Sequence, residues 1–172
     1  MSQLVLMRLS ASYSEYEDRI RLASAGQVGA SVDMWLTQRL LGLIIGHLGR
    51  SLEQKATAGV PAKSRQASNA SHVSSLEQKF ASDHYRNPEA VKLPPSAPKS
   101  LIHTIDITTG PSTIRLVFKG EGGISVMDFD QVSLRQWLHV LYILSERAGW
   151  KSIAWPDWVS SAAKPGPRMQ LQ

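Results

Sequence analysis

The chain has no cysteine among its 172 residues, which excludes disulfides, zinc–thiolate sites and thiol nucleophiles. It also lacks a long apolar run. The longest, residues 40–48, is broken by two glycines and a histidine and is far shorter than the ~20 residues that span a bilayer. The amino-terminal residues show neither a basic segment nor a cleavage site typical of a signal peptide. These features predict a cytoplasmic protein that is not inserted in a membrane.

Short catalytic motifs are missing as well: no phosphate-binding loop, dinucleotide fingerprint, nucleophile elbow or zinc-protease helix is present. His103 and Asp106 lie three residues apart in a predicted strand, so their side chains point to opposite faces. Asp128 and Asp130 share a strand face, but two carboxylates without further ligands do not make a cation site. We therefore predict no catalytic residues, no metal and no cofactor.

Positive charge is unevenly placed along the chain. The formal net charge is +5, yet residues 1–49 are neutral and residues 101–149 carry −1. Residues 50–100 carry +4 and residues 150–172 carry +2. The basic character therefore belongs to the connecting segment and the tail.

Two parts of the sequence resemble each other. The triplet at residues 20–22, Ile-Arg-Leu, recurs at residues 114–116, and each is followed by an apolar stripe at i, i+3, i+4 and i+7. The stripes are Leu41, Ile44, Ile45 and Leu48, and Trp137, Val140, Leu141 and Leu144. This pattern predicts an internal duplication; the alternative is two unrelated strand-to-helix transitions that are alike by chance.

Each predicted repeat contains three strands and a helix. The first-repeat strands are expected at residues 4–9, 19–23 and 28–36, and the second-repeat strands at 101–108, 113–119 and 124–130. Thr37 and Ser133 are the expected helix N-caps, and Gly149 the expected end of the second helix. The fold class predicted is α+β, with two tandem βββα repeats at residues 1–50 and 101–149. Together they are expected to form one domain, a two-layer antiparallel sheet with both helices on one face.

The remaining segments each have two interpretations. Residues 51–100 are either a basic, largely disordered linker or a basic arm that becomes ordered on a partner, and Leu76 and Phe80 indicate a short helix ending near His84. Residues 150–172 form a tail that contains Trp150, Trp155 and Trp158. These rings either pack back on the domain or dock a partner, since tryptophan is frequent among residues that dominate binding energy.

The first helix has a second feature, a notch of small residues on its flank. Gly42 and Gly46 lie one helical turn apart, and their counterparts in the second helix are Leu138 and Tyr142. Glycine inside a helix costs ~1 kcal/mol relative to alanine, so a compensating close approach is expected there. We predict that the notch receives a bulky side chain from the second helix or from another subunit.

These observations predict a non-catalytic interaction or assembly protein that acts through protein–protein contacts, including self-association. Its candidate partner-binding residues are the notch glycines, their two counterparts and the three tail tryptophans.

The alternative is a protein that binds single-stranded nucleic acid. In element order alone, repeated strands followed by a helix resemble the whirly and PUR-repeat proteins, whose sheets bind single strands. The candidate contacts for this alternative are basic residues of the connecting segment: Lys63, Arg65, Lys79 and Arg86. Aromatic residues for stacking are few in the predicted strands, namely Trp35, Phe118 and Phe129.

Overall fold

The computed structural model describes residues 3–56, 58 and 67–163. Within these ranges the chain forms six strands: β1 (Gln3–Ser14), β2 (Arg19–Gly26), β3 (Ser31–Leu36), β4 (Lys99–Thr109), β5 (Ile114–Gly120) and β6 (Gly123–Phe129). The helices are α1 (Gln38–Ala56), α2 (Ala67–Asp83), α3 (Gln131–Arg147) and α4 (Asp157–Ala163). The predicted α+β content is confirmed.

The six strands close into a barrel in the order β1-β2-β3-β4-β5-β6. Neighbours within each run of three are antiparallel, whereas β3 pairs with β4, and β6 with β1, in parallel. The prediction of two tandem βββα repeats in an open, two-layer antiparallel sheet with both helices on one face is therefore wrong. The two edges that an open sheet would leave free are paired with each other here.

Parallel pairing explains the long connection between β3 and β4. A parallel neighbour can be reached only by a crossover that returns the chain to the starting end of the sheet. In this protein, α1 and α2 form that crossover. Both parallel seams are short, with three residue pairs each, so β1 and β4 run on beyond the strands that close the barrel.

Two glycines allow the strands to approach closely near the seams. Gly26 lies opposite Leu6, beside a register shift in β1, and Gly120 lies opposite Ile102, beside a register shift in β4. A Cβ atom on Gly26 would lie 2.7 Å from the Val5 carbonyl oxygen, and one on Gly120 would lie 2.5 Å from that of Leu101. Such contacts leave room for glycine alone, and β-bulges with glycine are a common means of curving a sheet.

The recurring triplets place their side chains alike. Their isoleucine and leucine residues are buried in the core, as period-two alternation dictates. Their arginines point outward and each forms a two-pronged ion pair with an aspartate on the next strand, Arg21 with Asp33 and Arg115 with Asp128. Interior strand residues and one face each of α1 and α3 share a single hydrophobic core.

The helix boundaries follow from their caps. Thr37 caps α1 as predicted, because its hydroxyl oxygen accepts from the Leu40 N–H at 3.3 Å. The prediction for Ser133 is wrong: Asp130 caps α3 and accepts from the Ser133 N–H at 2.7 Å. Gly149, with a φ of 72°, ends α3 as predicted, in a turn in which the Trp150 N–H donates to the Ser145 carbonyl.

The connecting segment contains more helix than its sequence predicts. The short helix expected around Leu76 and Phe80 is confirmed and extends over all of α2. Helix α2 packs against α3 and α4 and touches α1. Among the helices of the described ranges, none combines the length and apolar character needed to cross a membrane.

Candidate functional site: an open groove between α1 and β4

An open groove of about 310 Å³ separates the first half of α1 from β4. Its walls are mostly apolar. The lining residues on α1 are Leu40, Leu43, Ile44 and His47, and those on β4 are His103, Thr104, Ile105 and Ile107. Leu43 forms the outer rim and is 63% exposed, a high value for a leucine beside an apolar wall.

The groove exists because β4 continues beyond the point where its pairing with β3 ends. It pairs with β3 only from Lys99 to Leu101, whereas its pairing with β5 continues to Thr109. On the α1 side, the later part of β4 therefore has no strand partner in the described part of the chain. Ile105 and Ile107 are half-buried and pack against the core. The result is a free strand edge beside an apolar helix face.

The predicted glycine notch lies on the other side of Leu43. A Cβ atom on Gly42 would meet no described atom within 4 Å, and one on Gly46 would meet only the Arg50 guanidinium, at 3.7 Å. Helix α3 therefore does not fill the notch, and that version of the prediction is wrong. A contact from another subunit stays a prediction.

The outward row of α1 is positively charged. Arg39 lies one helical turn before Leu43 and Arg50 two turns after it, so all three residues are exposed on the same side of α1. Neither arginine forms an ion pair with any carboxylate that the structure describes. The row of α1 that contains the rim residue Leu43 thus carries two arginines that form no ion pair with a described carboxylate.

A corresponding groove of about 220 Å³ lies between α3 and β1. Here β1 continues beyond the end of its pairing with β6, as β4 does beyond its pairing with β3. Leu9 and Ala11 form the strand wall. This groove is covered by the chain's own residues 85–91. The Arg8 guanidinium donates to the Glu89 carbonyl at 2.9 Å, and the Val91 N–H donates to the Ser10 hydroxyl at 2.8 Å. Residues 85–91, which follow α2, belong to no helix or strand.

The bulky counterparts of the glycine notch are used inside the molecule. Leu138 is only 2% exposed, and the Tyr142 ring meets the Trp155 ring edge-on at 5.4 Å. Beside them, the buried Arg135 binds α2 through the Ser74 carbonyl and the Glu77 carboxylate. Burial lowers the pKa of Arg135, and the Glu77 charge opposes that shift. The side of α3 that carries Arg135, Leu138 and Tyr142 is therefore a packed interface within the chain.

The three tail tryptophans also make contacts within the chain, which corresponds to the packing interpretation. The Trp150 indole donates to Asp18 at 2.8 Å, and this bond together with one from Tyr13 lowers the pKa of the Asp18 carboxyl. Trp155 donates to the Ser145 hydroxyl at 3.0 Å. Trp158 is buried, with its indole donating to Glu53 at 2.9 Å and its ring lying under the Arg135 guanidinium at 4.9 Å. A docking role for these residues stays a prediction.

The two candidate nucleic-acid contacts that the structure describes both contact Asp83, at the end of α2. Lys63 and Arg65 lie outside the described residues. Lys79 pairs with Asp83 at 3.4 Å, and Arg86 donates to the Asp83 carbonyl at 3.3 Å. Of the three strand aromatics, Phe118 and Phe129 are buried near Trp137, and only Trp35 reaches the surface, beside Arg21.

The acidic residues weighed as cation ligands serve other partners. Arg115 binds Asp128 and lowers the pKa of its carboxyl, and hydrogen bonds from Ser133 lower the pKa of Asp130. Asp106 pairs with Lys119. Within the described ranges, no three acidic or histidine side chains converge as metal ligands would.

Comparison with known proteins gave no counterpart: no family model, curated protein or solved structure matches this chain.

Proposed function

We propose that this chain is a non-catalytic, cytoplasmic interaction protein and that the groove between α1 and β4 is its partner-binding surface. The observation that carries the proposal is the conjunction of a free strand edge with an exposed apolar wall. Leu43 stands at the rim, and Ile105 and Ile107 form the opposite wall. Apolar grooves beside a free edge suit a peptide segment, because main-chain hydrogen bonds supply affinity and side-chain pockets supply specificity.

The driving force is the removal of apolar surface from water. It amounts to roughly 25 cal/mol for each Å² buried, so one partner side chain seated between Leu43 and Ile107 contributes on the order of 1–2 kcal/mol. The strand edge adds hydrogen bonds that are directional and fix the register of the bound segment. Neither contribution requires the barrel to change shape.

A second exposed apolar area lies on α2 and α3, where Leu76, Phe80 and Val132 surround a shallow depression. It offers no strand edge, since helix residues satisfy their own backbone groups. Leu76 is 58% exposed, close to the value for Leu43. It therefore provides a matched position for comparing the two surfaces.

Site-specific photocrosslinking tests the proposal in the host cell. A photoreactive phenylalanine analogue replaces Leu43 in one variant and Leu76 in the other, with melting temperature measured to show that both fold. We expect a discrete protein adduct from position 43 and none from position 76. Adducts from position 76 alone, or from neither position, contradict the proposal.

Single-stranded nucleic-acid binding is the second candidate, and one observation favours it. Trp35 borders a shallow depression together with Arg19 and Lys99, a pairing of aromatic ring and cations that suits a base and its phosphate. Glu17 and Glu121 lie in the same depression and repel phosphate. Fluorescence anisotropy with a labelled oligothymidine at low and high salt tests this candidate; binding that Trp35→Ala abolishes supports it.

A further inference from the structure

We infer that the groove between α1 and β4 binds an extended, acidic segment of a partner protein, with apolar side chains at alternate positions. This inference rests on the proposed function and names the chemistry of the partner. Three features carry it: the chain segment that lines the corresponding groove, the spacing of the apolar wall, and the charge along the rim.

The extended conformation follows from the corresponding groove between α3 and β1. There the covering segment, residues 85–91, is neither helix nor strand and contacts β1 through the Glu89 carbonyl and the Val91 N–H. Both grooves arise in the same way: a strand continues beyond the end of its parallel pairing, and a long helix lies beside the unpaired part. A chain segment of the same kind therefore fits the open groove.

Alternating apolar residues follow from β4 itself. Ile105 and Ile107 are two residues apart and share the face toward the core, because side chains alternate along a strand. An extended segment lying along this edge also alternates its side chains. Every second residue then faces the wall formed by Leu40, Leu43 and Ile44.

Acidic character follows from the rim. Arg39 and Arg50 flank Leu43 along α1 and form no ion pair with a carboxylate in the described chain, and two histidines, His47 and His103, line the groove. Carboxylates on the partner complement the two arginines. A second copy of the chain suits this surface poorly, since antiparallel pairing of two α1 helices about Leu43 brings Arg39 toward Arg50 of the other copy. Nucleic acid offers phosphates but no aliphatic side chains for the apolar wall.

Selection from a random twelve-residue peptide library displayed on phage tests the inference on the full chain. Peptides are selected on the wild type and depleted on Leu43→Asn, with Leu76→Asn as the matched control for the loss of an equally exposed leucine. We expect enriched sequences to be acidic, with apolar residues at alternate positions. A synthetic peptide of the enriched sequence should bind the wild type and Leu76→Asn alike, and bind Leu43→Asn at least about fivefold more weakly.

Charge reversal separates the acidic preference from binding as such. Arg39→Glu with Arg50→Glu should weaken that peptide about tenfold or more, since two exposed ion pairs become two repulsions. Arg86→Glu with Arg147→Glu makes the same change in net charge at exposed sites elsewhere and should leave affinity within about twofold. Equal loss in both double variants overturns the inference.

The remaining outcomes separate this inference from the proposed function. Enriched peptides that depend on Leu43 but carry no acidic residues overturn the inference and leave the proposed function standing. If light scattering gives a doubled mass and Leu43→Asn abolishes the doubling, the groove binds a second copy of the chain. That result also overturns the inference. Displacement of the peptide by oligothymidine overturns it in favour of nucleic acid. Photocrosslinking from position 43 decides the proposed function independently of all three.

Discussion

Helices α1 and α3 each follow a three-stranded run of the barrel, and each packs one apolar face on the same core. Their outer sides differ. Helix α3 is covered by α2 and α4, and its groove beside β1 is covered by residues 85–91. The first half of α1 has no such cover in the described chain, and its groove beside β4 is open.

The residue types follow this difference. At corresponding positions, α3 has Leu138 and Tyr142, which are used in packing, whereas α1 has Gly42 and Gly46, which meet almost nothing. Two glycines in a helix interior cost about 2 kcal/mol together relative to alanine. No contact within the described chain offsets that cost, which agrees with a surface kept for a partner.

Removing the cover of α3 has the largest expected effect. Trp158→Ala deletes a buried ring that packs under Arg135 and binds Glu53, so we expect a loss of about 3–5 kcal/mol in the free energy of unfolding. Urea unfolding followed by circular dichroism measures it, with Trp158→Phe as a control that keeps most of the volume. A loss below about 1 kcal/mol would show that the tail is not part of the folded unit.

Matched substitutions on the two helices should have opposite signs. Leu138→Ala truncates a side chain that is only 2% exposed and leaves a cavity, so it should lower the free energy of unfolding by about 2–5 kcal/mol. Gly42→Ala, at the corresponding position of α1, meets open space and should add up to about 1 kcal/mol through helix propensity alone. Urea midpoints measure both. Destabilisation by Gly42→Ala contradicts the open flank of α1.

Lowering the pH should reduce the free energy of unfolding through His139, which lies on the covered side. This is the smallest effect expected. Burial of its ring lowers the pKa of His139 below the usual 6.5, although the Asp83 charge opposes this. The unfolded chain therefore binds the proton more readily, so the stabilising contribution is complete above pH 6.5 and is lost as pH falls through the folded-state pKa. Urea midpoints at pH 7.5 and 5.5 should differ less in His139→Gln than in the wild type. Equal differences in the two proteins contradict the assignment.

Local features of the fold could be predicted from sequence, but barrel closure could not. Apolar periodicity identified the core face of α1, and Thr37 and Gly149 marked helix ends, because these signals depend on neighbours along the chain. Closure depends on pairing between strands far apart in sequence. One sequence signal for it was overlooked: Gly26 and Gly120 follow the two Ile-Arg-Leu triplets at the same spacing and permit the close strand approach.

The candidate site was half predicted. The glycine notch predicted a contact surface on the flank of α1. The groove on the other side of Leu43 could not be predicted, because its second wall is β4. Ile105 and Ile107 are ordinary strand residues in sequence, and only the early end of the β3–β4 pairing leaves their edge free. Likewise, the packing of Trp158 depends on the position of Arg135 on α3, which no local pattern specifies.

Amide hydrogen exchange with and without the selected acidic peptide tests the central claim most directly, namely that the open groove is the binding surface. We predict slower exchange confined to residues 102–109 of β4 and residues 38–47 of α1, with no change in β1 beside the covered groove. Slower exchange in residues 72–80 and 131–135 instead, or no change anywhere at saturating peptide, would contradict the account.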